Sequence, residues 1–463
     1  MKQIVVLGGG ISGYGSAILA KKKGFGVFLS DAGRIADRYK AKLDEWEVPY
    51  EEGGHTEERI LAATEVVKSP GIPDTAPMVR KIREAGIPVI SEMEFAGRYM
   101  GKAKCICITG SNGKTTTTSL IYKIMRDAGM NVALGGNIGE SFAWSVATGD
   151  YDWYVLELSS FQLDGMYRFR AHVGVLMNIT PDHLDRYDHC FQNYADSKMR
   201  IVQNMTSRDW FVYSGDDAVI RDQLPKYDLR MRQLPFMAHA AVASGAGDAF
   251  LCDGKFTATA GKASVEIDTA KLRIKGLHNA YNAMAAALAT LAAGVAPAKI
   301  HRSLYDFAPV EHRLEPVAEK GGVLWINDSK ATNVDSVYYA LESMTRPVVW
   351  IAGGLAKGSR FEQLVADQAH TIKAAIIIGK DQQPMLDAFK ASAPDIPMSI
   401  IDPTDNDTVM ARAIDAAGTY AQSGDVVLMA PACASMVQFK SYADRGNQFA
   451  QQSQRWVNEH GEA

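Results

Sequence analysis

Short apolar runs recur along the whole chain, and most are followed by a stretch whose apolar residues return at helical spacing. In the first hundred residues "IVVLG", "GVFLSD", "EVVKSPG" and "IPVIS" predict strands, and "SGYGSAILAKKKG" predicts the first helix. The polar, basic stretch "RYMGKAKC" at residues 98 to 105 then gives way to a fresh buried strand, "KCICITG", which places a domain boundary there. Strands at "DWYVLELSS", "HVGVLMNIT" and "DWFVYSG" continue the alternation. From about residue 238 to 275 the chain turns Gly/Ala-rich and then alternates in "ASVEID", predicting a small antiparallel excursion. The Ala-rich "NAYNAMAAALATLAAG" predicts a strong helix ending at Gly294. After "FAPVEHR" the pattern restarts with "GVLWINDS", "RPVVWIAGG", "AAIIIGK" and "GDVVLMAP". Alternation of this kind predicts α/β units with mostly parallel sheets.

Length and charge narrow the picture. At 463 residues the chain is too long for one ordinary core, so two or three domains are expected. Apolar residues at 47% and charged residues at 22% fit a globular protein. The 49 basic and 53 acidic residues leave a net charge of −4, which argues against a nucleic-acid binder. Any anionic ligand must therefore be met by local groups and helix N-termini. Five cysteines, at 105, 107, 190, 252 and 433, form no metal-type CxxC pair and read as reduced thiols. The N-terminus runs straight into a strand, so no signal peptide is expected, and no apolar run is long enough to span a membrane. A cytosolic protein is expected.

Two glycine turns carry candidate chemistry. The strand "CICIT", the turn "TGSNGKTTTT" and the helical "SLIYKIMRDAG" form a layout that points backbone N–H groups and a helix dipole at phosphate. Lys114 would bridge β and γ oxygens, and the Thr115 hydroxyl would ligate Mg2+. The common phosphate-loop pattern has about four residues between the first Gly and the Gly-Lys pair. Here Gly110 and Gly113 enclose Ser111 and Asn112 alone. A metal-binding carboxylate belongs at the end of a neighbouring strand, and "WYVLELSS" supplies Glu157 there. In the first turn Gly8, Gly10 and Gly13 match G-x-G-x-x-G after a strand, with Asp31 eighteen residues beyond Gly13. Taken alone that pattern suggests NAD, although its geometry suits any pyrophosphate at a helix N-terminus. His183 follows a buried strand among Asp182 and Asp185, and Lys198 sits on a predicted helix; neither residue type in that setting points to a role by itself. Lys357, in the Gly-rich turn "GGLAKGS", is a candidate anion site.

Set beside these turns, "TGSNGKTTTT", "GGNIG", "LELSSFQL", "NITPDHLDRY", "HNAYNA", "EHRLE", "NDSKATN" and "APACASMVQFKSYADRGNQF" occur in an order that resembles the Mur ligase family nearly end to end. The last two motifs look specifically like those of members that add D-glutamate. The resemblance implies three domains: residues 1–102, Rossmann-like and binding a UDP-sugar; 103–309, a central P-loop ATPase-type domain; and 310–463, Rossmann-like and admitting the incoming amino acid. It implies ATP-dependent joining of D-glutamate to UDP-N-acetylmuramoyl-L-alanine through an acyl phosphate, by a monomer in the cytoplasm. The shortened phosphate loop is usual in the family, and the first turn then holds the pyrophosphate of the UDP-sugar.

Position by position, the resemblance assigns Gly110, Ser111, Asn112, Gly113, Lys114, Thr115 and Thr116 to the ATP phosphates, and Asn279 and Asn282 to the adenine side. Thr115 and Glu157 would hold one Mg2+, and His183 a second, supported by Lys198 as its carbamate. Arg313 and Asp328 would reach the γ-phosphate and the ribose of ATP, and Lys330 would neutralise phosphates. His312, Thr332, Lys357, Ser435, Met436 and Tyr442 match the D-glutamate side; Ile11, Ser12, Asp31, Ser69 and Asn137 match the UDP-substrate. After Asp31 the family often has a hydroxyl residue and then Arg, whereas here Ala32-Gly33-Arg34 follow, with Arg34 a displaced candidate. A site drawn from the second and third domains requires closure of the third. The competing readings are another amino-acid ligase of the superfamily (folylpolyglutamate synthetase-like, for example), an NAD-dependent oxidoreductase and a non-catalytic nucleotide sensor.

Overall fold

A computed structural model of the chain describes residues 2–182, 184–238, 248–308, 311–356, 359–405, 408–436 and 438–460. Its strands make three sheets. The first contains β1 (Gln3–Leu7), β2 (Gly26–Asp31), β3 (Tyr50–Glu52), β4 (Glu65–Lys68) and β5 (Val89–Ile90), in the order β3-β2-β1-β4-β5 and parallel throughout. The second contains β6 (Lys104–Thr109), β7 (Val132–Gly136), β8 (Trp153–Glu157), β9 (Val173–Leu176), β10 (Trp210–Ser214), β11 (Arg232–Met237), β12 (Ala249–Cys252), β13 (Lys255–Ala260) and β14 (Ala263–Asp268). Its order is β14-β13-β12-β11-β10-β9-β6-β8-β7, with antiparallel pairing at β12-β13-β14. The third contains β15 (Glu315–Lys320), β16 (Val323–Asn327), β17 (Val348–Gly353), β18 (Ile372–Ile378), β19 (Met398–Ile400) and β20 (Val426–Met429), ordered β15-β16-β20-β17-β18-β19 with β15 alone antiparallel. The α/β alternation and the antiparallel excursion appear where the apolar pattern placed them.

The chain divides into two units, residues 1–272 with 279–307, and 273–278 with 308–463. Within the first unit, two sheets share one core. The cluster containing Tyr14, Phe95, Phe142, Tyr154 and Phe169 takes residues from both, and the Phe142 and Tyr154 rings meet edge to face at 5.0 Å. Parallel strands buried on both faces read as continuous Val/Ile/Leu runs, which is why "CICI" and "VGVL" are legible as strands.

One boundary departs from the sequence reading. The helix over "SLIYKIMRDAG", expected to begin near Thr116, begins at Lys114, so Thr115 to Thr118 all lie inside it and all four are buried. Threonine is a poor helix former because its branched β-carbon restricts χ1. Tertiary packing overrides that preference here. Gly113 caps the helix at φ 80°, and the Thr117 hydroxyl donates to Asn282 Oδ1 at 3.2 Å.

A carboxylate ties the first sheet's final helix to the second sheet. Buried Glu94 accepts at Oε2 from the backbone N–H groups of Tyr167 (2.9 Å), Arg168 (2.8 Å) and Phe169 (2.9 Å), and Arg98 lies 3.4 Å from Oε1. Burial alone would raise this carboxyl; the three donors and Arg98 outweigh it and hold the group below the usual glutamate range. The stabilisation is therefore fully present above about 4.5, the ordinary value, and is lost as pH falls through the lower folded value. Glu94→Gln is expected to lower the thermal midpoint at pH 7 by the equivalent of about 1.5–3 kcal/mol, the range for hydrogen bonds to a charged group. The gap from the parent should close as the melt is repeated at progressively more acidic pH; a gap that stays constant would contradict the assignment.

Candidate active site

Each sheet of the first unit presents a glycine turn at the carboxyl end of a parallel strand. After β1 the chain enters the helix Ile11–Lys22, whose Gly10 cap makes no side-chain hydrogen bond. Gly13 is required by close approach, since a Cβ there would lie 1.8 Å from the Gly8 carbonyl oxygen. Asp31, at the end of β2, accepts from Gly9 N (2.5 Å) and Gly33 N (2.7 Å), so its carboxylate shapes the turn. Ser69, after β4, places its hydroxyl 3.4 Å from Gly8 O. Ile11 and Ser12 open the helix, and Ser12 is buried. Arg34 is exposed and pairs with Asp37 at 3.3 Å. The strand order reverses between β1 and β4, which is where open α/β sheets hold ligands.

The second turn follows β6, between β8 and β9. Ser111 N donates to Asn178 O (3.0 Å), Asn112 N to Asn178 Oδ1 (2.8 Å), and the Ser111 hydroxyl to Thr180 O (2.8 Å) with Tyr194 OH 3.0 Å away. Asn178 and Tyr194, which the sequence reading passed over, thus shape the loop. Gly110 sits at φ 144° and Gly113 at φ 80°. Lys114 Nζ folds over the loop, donating to Gly110 O and Ser111 O at 2.7 Å each. Thr115 and Thr116 occupy the helix's first turn. Asn282 reaches in from the Ala-rich helix, with Asn279 Oδ1 accepting from its amide at 3.1 Å.

Register puts Glu157 at the edge of this loop, opposite Ile108 on one side and Gly136 on the other. Its Oε1 accepts from Asn137 Nδ2 at 2.8 Å, and its buried Oε2 has no hydrogen-bond partner among the described residues. Lys198 lies on the helix Phe191–Met199, fully enclosed, with Nζ donating to Gly110 O (3.0 Å) and Thr109 Oγ1 (3.3 Å). Burial, and next the Lys114 cation, pull this amine well below the usual lysine range. His183 lies outside the described residues.

In the second unit the candidates gather at the ends of β16 and β20. Asp328 ends up buried, its Oδ1 unpartnered among the described residues, and burial pushes its carboxyl up to about 6 against the pull of Arg313. Arg313 Nε is likewise buried without a partner there. His278, which the sequence reading missed, is pushed down to about 4 by burial and by Arg313. His312 holds φ 61°; Asn327 Nδ2 lies 2.9 Å from its Nδ1, and Tyr442 meets its ring edge to face at 6.2 Å. Lys330 Nζ stands 5.4 Å from the centre of the Tyr442 ring. Thr332, Met436 and Tyr442 are exposed and Ser435 is buried. Lys357 lies outside the described residues.

Three family models match in succession: the N-terminal domain described as Mur ligase MurD-like over residues 2–91, the Mur ligase middle domain over 108–290, and the Mur ligase glutamate ligase domain over 312–433. A UDP-N-acetylmuramoylalanine–D-glutamate ligase of Bacteroides fragilis is 49% identical across 97% of this chain and 98% of that protein. The protein of that name from Christiangramia forsetii is 46% identical over the same shares. The chain belongs to the Mur ligase family. Among solved structures, a pseudomurein peptide ligase type C from Methanothermus fervidus has the same fold, with a TM-score of 0.61 at 21% identity over 93% of this chain and 96% of that one. The UDP-N-acetylmuramate-alanine ligase MurC of Thermotoga maritima does too, at 0.59 and 17% over 99% of each. The family's three domains are mixed α/β with mostly parallel sheets, as here.

The residues beside the phosphate loop fit a magnesium ion. Mg2+ typically takes one or two protein oxygens and completes its shell with water and phosphate. The unpartnered Glu157 Oε2 is such an oxygen, and Thr115 stands at the helix start. The same loop leaves no room for a side chain at its final glycine: a Cβ on Gly113 would lie 2.5 Å from Asn282 Oδ1 at a φ that L-residues rarely adopt. Gly113→Ala is expected to weaken binding of a non-hydrolysable ATP analogue at least tenfold, about 1.4 kcal/mol, by isothermal titration calorimetry. Unchanged affinity would contradict the assignment of this turn to ATP.

Proposed function

We propose that this chain is an ATP-dependent amide ligase that adds D-glutamate to UDP-N-acetylmuramoyl-L-alanine, acting as a cytoplasmic monomer in peptidoglycan precursor synthesis. One observation carries the reading: a phosphate loop beside a buried carboxylate oxygen without a partner among the described residues, in a chain 49% identical nearly end to end to a ligase of that name. No helix among the described residues is long and apolar enough to cross a membrane. The working partition is residues 1–102 for the UDP-sugar, 103–309 for ATP and 310–463 for the amino acid.

Joining a carboxylate to an amine in water is uphill, and a carboxylate is a poor electrophile. In the proposed reaction the substrate carboxylate oxygen attacks the γ-phosphorus of ATP, ADP departs and an acyl phosphate forms. The amine of D-glutamate then attacks the acyl carbon, a tetrahedral intermediate collapses, phosphate leaves with the carbon–oxygen electron pair, and the nitrogen loses a proton. The first step brings two anions together, so cations must screen them. Gly110 to Thr116 cradle the phosphates and Lys114 swings from its carbonyl contacts to the β and γ oxygens; Thr115 and Glu157 would hold Mg2+, whose charge would screen the triphosphate. Asn279 and Asn282 stand on the adenine side. Ile11, Ser12, Ser69 and Asn137 contact the UDP-substrate, with Asp31 shaping the turn.

In the second unit Arg313, Asp328 and Lys330 are assigned to ATP, and His312, Thr332, Lys357, Ser435, Met436 and Tyr442 to D-glutamate. The buried atoms of Arg313 and Asp328 that have no partner among the described residues support a polar ligand there. His183 and Lys198 are assigned to a second Mg2+. A neutral amine reacts with CO2 to give a carbamate and a proton, and the enclosed Lys198 amine, depressed by burial, is suited to that reaction.

The decisive assay is phosphate release from ATP. It should require both UDP-N-acetylmuramoyl-L-alanine and D-glutamate, and Lys114→Ala should reduce it at least a hundredfold, about 2.7 kcal/mol of transition-state stabilisation. Release indifferent to both substrates would remove the ligase reading. For Lys198, incubation with 13C-bicarbonate should produce a carbamate carbon resonance that is absent from Lys198→Arg. A signal of equal intensity in that variant would exclude the modification at this residue.

A further inference from the structure

Arg445 has no part in the assignments above. It lies in the first turns of the helix Tyr442–Glu459 and is fully buried. Its hydrogen bonds go to neutral oxygens: Nε to Ser329 Oγ at 3.0 Å, Nη2 to Ser329 O at 2.9 Å, and Nη1 to Cys433 O at 3.2 Å. Among the described residues no carboxylate pairs with it. Burial accordingly pulls even this guanidinium down to about 9.

The anchors are informative. Ser329 follows β16, one residue before Lys330 and three before Thr332; Cys433 follows β20, two residues before Ser435 and three before Met436. The same loops are joined by Ala432 N donating to Ala331 O at 3.0 Å. Ser329 Oγ in turn donates to Tyr442 O at 2.7 Å. The turn after β17 packs here as well, since a Cβ on Gly354 would come within 3.4 Å of Arg445 Nη1. Thr332, Ser435, Met436 and Tyr442 therefore all stand within three residues of Arg445 or of a group it binds.

Neutral hydrogen bonds could join two loops without a buried charge. An unpaired buried cation is costly, and its field extends through low-dielectric surroundings to nearby anions. We propose that Arg445 is the positioning residue of the amino-acid subsite: it locks the 328–332 loop to the 431–435 loop, and its uncompensated charge is balanced by the dicarboxylate those loops receive. This rests on the D-glutamate reading above.

The test compares Michaelis constants in the full-length enzyme. Lysine keeps the charge but loses the planar fork, so it is not a conservative replacement at such a site. Arg445→Lys is expected to raise the KM for D-glutamate at least tenfold, leaving the KM for UDP-N-acetylmuramoyl-L-alanine within about threefold of the parent, with the KM for ATP, whose Asp328 and Lys330 share the anchored loop, rising less than that for D-glutamate. Arg445→Met, which also loses the charge, should raise the D-glutamate KM further. A folded Arg445→Lys with unchanged D-glutamate KM overturns the proposal, as does a rise shared equally by all three substrates, the mark of a merely structural role. If neither variant folds, Ser329→Ala decides: it removes one acceptor and leaves the charge, and a selective rise of two- to fivefold is expected, with no change overturning the proposal. Wild-type enzyme that ignores D-glutamate would overturn the ligase reading together with this one, which separates the two failures.

Discussion

A parallel strand that feeds a helix through a glycine turn aims the first N–H groups of that helix at whatever lies beyond the strand's carboxyl end. The first unit uses this geometry twice, after β1 and after β6, and no side chain caps either helix. A chain with net charge −4 has no global field with which to collect anions, so any anion it binds must be met locally, by turns such as these. The sheet orders follow from the same requirement. Each turn lies on a strand with parallel neighbours on both sides, so that Ser69 can stand beside the first turn, and Glu157 beside the second.

Holding the turns in one body requires a firm junction between the two sheets. Glu94 supplies one link through three backbone donors, and Glu92 a second: its buried Oε1 accepts from Ser141 Oγ at 2.5 Å and Ala143 N at 3.0 Å. Ser141 follows directly on the segment bearing Asn137, whose amide holds Glu157. The junction is stiff because Glu94 cannot leave its three donors without an unsatisfied charge, and the shared aromatic rings cannot part without opening a cavity.

Enclosed basic side chains recur where chemistry is assigned. Lys198 beneath the phosphate loop and Arg445 beneath the loops at the ends of β16 and β20 both donate to backbone carbonyls and to hydroxyls, with no carboxylate in direct contact among the described residues. For the Arg445 guanidinium such an arrangement lowers stability in the absence of ligand and strengthens the response to an anion when one arrives. It is the pattern expected where a protein spends folding energy on a site.

Local pattern determined a great deal of this protein. Strand runs, the Ala-rich helix, the antiparallel excursion and both glycine turns are legible because each depends on residues adjacent in sequence: period, turn chemistry and backbone permissiveness. Glu157 could be picked out because a strand end next to a phosphate loop is a specific place. Tertiary structure alone decided the rest. The helix start at Lys114 went against threonine's preference because Asn282, far along the chain, receives a threonine hydroxyl. Asn178, Tyr194, His278 and Arg445 carry no local mark, since what distinguishes them is enclosure and the identity of distant partners. Burial and long-range hydrogen bonding are properties of the folded chain, and no window of neighbouring residues contains them.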